Sequence, residues 1–158
     1  FALIAILIYI WLRFEWQFGF GAVVALTHDV LFTLGLLSIL NVEFSLATIA
    51  AILTIAGYSI NDTVVIYDRI RESMRKYKQS SFDDVINISL NGTLSRTLTT
   101  SLTTLLALGA LFIFGGIVIS SFIIALIWGV LIGTYSSLYV ASPILAFLGS
   151  DNREKKEN

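Results

Sequence analysis

Long, nearly unbroken apolar runs joined by connections of sharply unequal charge constrain this chain more than any other feature. A helix needs about 20 mostly apolar residues to cross a hydrocarbon layer ~30 Å thick. Residues 18–40, 44–66 and 122–148 meet this requirement without help. Residues 94–114 meet it if their Thr-rich first half faces other helices. Residues 1–12 are too short alone and are expected to be the end of a helix that starts upstream. Phe1 opens inside an apolar run with no basic leader, which is not the pattern of a signal peptide. Membrane strands are a poor alternative, because the runs are long and do not alternate. The expected fold is therefore an all-α, polytopic membrane helix bundle with five spans.

Composition agrees. Charged residues make up 13% and apolar residues 56% of the 158, against roughly 25% and 45–50% in soluble domains. The connections give orientation. All ten Lys and Arg fall in the first connection, in the third, at the start of the fourth span, or in the tail at 150–158. The connections at 41–43 and 115–116 have none. Basic loops stay in the cytoplasm, so the tail is expected there and the N-terminal end outside. The bundle is expected to occupy 1–149. The polar stretch 67–93 reads as a cytoplasmic amphipathic linker on the membrane face. Ser81 and Asp84 form a weak capping signal, Phe82, Val85, Ile86 and Leu90 recur at helical spacing, and Gly92 can end the helix.

Ionisable groups inside a membrane cost about 2.5–3.5 kcal/mol even on the lenient scale, so each is a functional candidate. Asp62 lies two turns before Arg69, about 10 Å from the basic boundary. Tyr58 and Ser59 lie one turn beneath it, beside Asn61, as supporting polar groups. Asp62 is either a satisfied structural carboxylate or one that gains and loses a proton during a cycle. Arg96 opens the fourth span, with Thr100, Thr103, Ala107 and Ala110 continuing along its face. It is either an inward cation paired with Asp62 or a headgroup anchor that snorkels. Asp29 and His28 sit mid-span in the second run, as a second titrating station or a structural pair. Neighbours in sequence do not face each other on a helix.

The last span shows a stripe of small residues every four positions, Ala125, Gly129, Gly133, Ser137 and Ala141. Such a stripe lets another helix approach closely, from within the chain or from another subunit. With one His and no Cys, no transition-metal site is expected. No nucleotide loop, nucleophilic triad or nucleic-acid patch is present, so an enzyme with its own covalent chemistry is not expected either.

Three motifs together carry a resemblance: Leu26-Thr27-His28-Asp29-Val30, the run Ala56 to Glu72 containing Gly57-Tyr58-Ser59-Ile60-Asn61-Asp62-Thr63, and Leu94-Ser95-Arg96-Thr97-Leu98-Thr99-Thr100-Ser101. From about residue 1 to 149 the chain resembles the SecD/SecF family of bacterial protein-export membrane proteins, on the SecF side, as spans two to six of six. The resemblance implies half of a bundle like that of the resistance-nodulation-division exporters. It implies a place in the bacterial cytoplasmic membrane beside SecD, the Sec translocon channel and its accessory subunits, acting on a preprotein in transit. Protons would be the coupling ion, with no cofactor. Asp62 matches the family's membrane carboxylate, Arg96 the arginine near the proton path, and Asp29 the acid of the His-Asp motif. Competing expectations are a small-molecule or lipid exporter of the same superfamily, and a scaffold that only holds membrane partners.

Overall fold

The computed structural model describes Ile8 and residues 15–148. The expected spans at 1–12 and the tail at 150–158 lie outside the described residues, Ile8 apart. Among the described residues are four helices long and apolar enough to cross a membrane. They are α1 (Trp16–Ile39), α2 (Leu46–Lys76), α3 (Phe82–Phe114) and α4 (Ile117–Leu148). Helix α4 includes one wide turn, the π-helix Ser137–Ala141.

Local signals set the helix ends. Asn41 adopts φ 51° after α1, and its N–H returns to the Ser38 carbonyl while Val42 N–H returns to Leu37. This is a Schellman closure, and Asn tolerates the left-handed conformation it demands. Ser45 and Thr48 cap α2 reciprocally, each side chain accepting from the other's backbone N–H. At α3, Ser81 accepts from the Asp84 backbone N–H at 3.2 Å, as the capping signal suggests. Gly116, at φ 78°, makes the turn between α3 and α4.

The connection 67–93 departs from expectation. No separate interfacial helix forms, and residues 94–114 are the second part of one longer helix. Helix α2 continues to Lys76, and one uninterrupted α3 runs from Phe82 through Gly92 to Phe114. At about 1.5 Å per residue these helices are roughly 46 and 50 Å long, well beyond the ~30 Å apolar layer. The extension persists because its apolar positions still have something to bury against. Phe82 and Ile86 join Tyr67 and Ile70 in one core cluster, with Leu90 packed onto it. Gly92 does not stop the helix, since glycine within a helix costs only about 1 kcal/mol.

Helices α2 and α4 form the centre, each touching all of the other helices, with α1 against one flank of the pair and α3 against the other. Two apolar clusters fill the bundle. One, at the charged end, holds Phe18, Tyr67, Ile70, Phe82, Leu138 and Leu145. The other, at the uncharged end, holds Leu37, Ile55, Leu108, Ile123, Leu126 and Val130. Between them lies a buried polar layer.

The small-residue stripe of α4 runs along α2. A Cβ on Gly129 would collide with Ile55, and one on Gly133 would lie 3.2 Å from Ser59 Cβ. Ser137 Oγ meets Thr63 Oγ1 at 2.9 Å, and Tyr67 Oη donates to the Ala141 carbonyl at 3.1 Å. These four pairs share one offset of 74 residues, so the seam keeps register over successive turns of two parallel helices. The stripe's partner is inside the chain.

Candidate functional site: a buried polar layer with two carboxylates

Asp29 is fully buried where α1, α2 and α4 meet. Its Oδ2 accepts from Ser59 Oγ on α2 and, at 2.7 Å, from Ser136 Oγ on α4. Its Oδ1 lies 3.0 Å from Nδ1 of His28. The adjacent His28 and Asp29 side chains thus meet, and the His28 ring rests on Phe32 one turn further along α1, ring centroids 4.2 Å apart. The chain of hydroxyls continues from Ser59, whose carbonyl accepts from Ser137 Oγ at 3.4 Å, to Thr63 beside Asp62. Ser136 and Ser137 stand at the edge of the π-turn, a feature that recurs near functional sites.

Asp62 is the opposite case. It is 5% exposed, yet its Oδ2 has no hydrogen-bond partner among the described residues. Ser59 does not serve it, being turned toward Asp29. Tyr58 does not either: its hydroxyl donates to Ser101 Oγ at 3.5 Å, and Ser101 meets Thr134 Oγ1 on α4 at 2.6 Å. Asn61 is exposed and stands outside the layer.

For Arg96 the sequence leaves two placements open, inward beside Asp62 or outward at the headgroups. It is exposed on α3 and forms no salt bridge with Asp62. It lines a polar cavity of about 640 Å³ between the charged ends of α2 and α3, together with Val65, Arg69, Glu72 and Thr93. The expected face Arg96, Thr100, Thr103 is not the buried one. Thr100 donates to the Arg96 carbonyl at 2.9 Å and Thr103 to the Thr99 carbonyl at 2.9 Å, so both hydroxyls are consumed by their own helix. The buried stripe is Ser89, Thr93, Thr97 and Ser101, again every four residues. Sequence reading missed Thr97, Ser101, Thr134 and Ser136, although the four-residue repeat that exposed the α4 stripe was available for α3 as well.

Among the described residues no group of three or more His, Cys, Asp or Glu is placed to hold a metal ion. The layer offers two membrane-buried carboxylates, one saturated with donors and one not, set among hydroxyls on four helices.

A family profile described as protein export membrane protein SecD/SecF, C-terminal, matches residues 1–151. The chain belongs to the SecD/SecF family. It is 59% identical over 157 residues to the protein translocase subunit SecF of Rhodobacter capsulatus, covering 99% of this chain and 47% of that one. With the SecF subunit of Rickettsia rickettsii the identity is 53% over 156 residues, covering 99% and 51%. The chain thus spans about half the length of the curated SecF relatives it matches. Among solved structures it superposes on SecDF in a super-membrane-facing form with TM-score 0.90 at 44% identity, covering 96% of this chain and 21% of that one. It superposes on SecDF of Thermus, described as a translocon-associated membrane protein, with TM-score 0.86 at 47% identity, covering 93% and 20%.

Proposed function

We propose that this chain is the helix-bundle portion of a Sec protein-export subunit in the bacterial cytoplasmic membrane. In this reading it has five spans and forms half of a bundle completed by SecD, with its C-terminal end in the cytoplasm. It couples proton movement to a late stage of preprotein transfer and has no covalent chemistry of its own. The relatives' description as SecF translocase subunits and the likeness to SecDF support the export assignment. The observation that carries the coupling is the contrast between the carboxylates: Asp62 has an oxygen with no partner, whereas Asp29 is held by Ser59, Ser136 and His28.

Asp62 is the group that takes up and releases the proton. When ionised it is drawn toward the cation Arg96 across the α2–α3 groove, and when protonated it is released. Asp29 fastens α1, α2 and α4 so that this change is transmitted, and the hydroxyls from Ser59 to Thr63 connect it to the neighbourhood of Asp62. A proton moving down about 150–200 mV releases roughly 3.5–4.6 kcal/mol. That is enough to reverse a two-state equilibrium differing by a few kcal/mol, so many small movements would add up to transfer.

The test is gradient-dependent preprotein export by the full-length protein with SecD. Asp62→Asn abolishes the gradient-dependent part while assembly with SecD is retained. Normal export by an assembled Asp62→Asn complex would refute the coupling role. Arg96→Ala lowers the same activity by about tenfold, equivalent to ~1.4 kcal/mol, and Arg96→Lys restores part of it because Lys keeps the positive charge. Equal activity of all three proteins would return Arg96 to the headgroup anchors. The stripe of α4 no longer argues for a scaffold, since it is filled by α2.

A further inference from the structure

Asp62 and Thr97 are the two residues with a buried side-chain oxygen that lacks a partner among the described residues, and they belong together. Helices α2 and α3 are antiparallel, and their register is fixed at two points. Tyr58 meets Ser101 at 3.5 Å, and Gly92 faces the Arg69 guanidinium at 3.5 Å from where its Cβ would lie. One turn along both helices from the first point, toward the second, stand Asp62 and Thr97. They are 5% and 1% exposed.

Thr97 is also unlike its neighbours. Thr93, Thr99, Thr100, Thr103 and Thr104 all donate to a carbonyl of α3. The Thr97 hydroxyl alone among the threonines of this helix does not return to it. A buried hydroxyl left unpaired costs about 1–3 kcal/mol, and a buried carboxylate oxygen costs more. Internal water is the usual partner of buried polar atoms that the protein itself leaves unpaired. A supply is near at hand. The lining of the 640 Å³ cavity includes Val65, one turn from Asp62, and Thr93 and Arg96, which flank Thr97 in sequence.

We propose that Asp62 Oδ2 and Thr97 Oγ1 jointly bind one water molecule, which enters from the charged-end cavity and is the immediate proton exchange partner of Asp62. The binding site stands on the geometry. Its use by a proton rests on the role of Asp62 given above. Thr97 is a positioning residue, acting on Asp62 through the water.

Water-edited solid-state NMR of the full-length protein in lipid vesicles tests this directly, in either protonation state of the acid. Asp62 Cγ and Thr97 Cβ receive magnetisation from water faster than Asp29 Cγ, which is also buried but held by serine hydroxyls. Thr97→Val, which keeps the shape and removes the hydroxyl, slows Asp62 to the rate of Asp29, and Thr97→Ser restores it. Equal slow build-up at Asp62 and Asp29, or a fast Asp62 in Thr97→Val, overturns the site. Export assays on the same proteins separate the two ideas. A Thr97-dependent water signal alongside export that survives Asp62→Asn removes the proton role and leaves the water site standing.

Discussion

Gly133 on α4 leaves room for Ser59 on α2, whose Cβ would stand 3.2 Å from any Cβ added to the glycine. That closeness is what lets Ser59 reach Asp29 and Ser137 reach the Ser59 carbonyl. The seam between α2 and α4 is thus both the packing core of the bundle and the frame of its polar layer. Small residues make such contact possible in a membrane, where helices gain little from hiding apolar surface.

Gly129, one turn away, is the most sensitive point of this seam. Its Cβ would overlap the Ile55 side chain, which is buried and branched at Cβ and so cannot swing aside. Gly129→Ala is expected to cost about 1–3 kcal/mol of stability, the usual range for overpacking. Thermal unfolding of the purified full-length protein reads this out. Combining it with Ile55→Ala, which opens the space, makes the double variant less damaged than the two single losses added together. Strict additivity would mean that the two residues do not touch.

The seam also shows which parts of the site the sequence made legible. Asp29 and Asp62 were recognisable because a carboxylate in an apolar run is costly enough to need a reason. The α4 stripe was recognisable because Gly129 and Gly133 are conspicuous in a helix otherwise rich in large apolar residues. Helix α3 offered no such contrast. Between Thr93 and Thr104 hydroxyl residues occupy every face but that of Leu94, Leu98 and Leu102, so composition could not choose between the Thr100 face and the Thr97 face. Moving from Thr100 to Ser101 turns the helix by about 100°, which separates an exposed stripe from a buried one. For the same reason the sequence could not choose between an Arg96 turned inward to Asp62 and one left at the headgroups. The helix end at Gly92 was misread because polarity marks where the membrane ends, not where a helix must stop.

Asp29 and Asp62 are expected to respond differently to the same substitution. In Asp29→Asn the amide oxygen still accepts from Ser59 and Ser136, and the amide nitrogen can donate to His28 Nδ1. Asp29→Leu instead leaves the Ser59 hydroxyl buried without its acceptor, at about 1–3 kcal/mol, while Ser136 Oγ keeps the Gly133 carbonyl at 3.1 Å. The Asn variant therefore keeps nearly the wild-type melting temperature and most of its gradient-dependent export, while the Leu variant unfolds earlier. If Asp29→Asn is stable yet loses export as fully as Asp62→Asn, Asp29 is a member of the proton path in its own right.

Gly92 decides how the charged end of the bundle is built. A glycine that terminated a short interfacial helix would adopt a conformation hostile to other residues, and replacing it would be harmful. Here Gly92 lies inside α3, ten residues beyond Phe82, and its φ is not positive. A Cβ there would meet Arg69 Nε at 3.5 Å, an ordinary contact. Arg69 is itself half exposed and tied to Glu72 at 2.7 Å, a surface pair of small energetic consequence that can shift without penalty. Gly92→Ala should accordingly stabilise the protein by up to about 0.8–1.0 kcal/mol, the helix-propensity difference between the two residues. Gly92→Pro should do the reverse, at about 3 kcal/mol or more, by removing a backbone hydrogen bond in mid-helix. Melting temperatures of the three proteins measure both effects, and amide hydrogen exchange across 82–100 localises them. A Gly92→Ala variant that melts lower, with faster exchange on either side of residue 92, would mean that α3 is broken there after all.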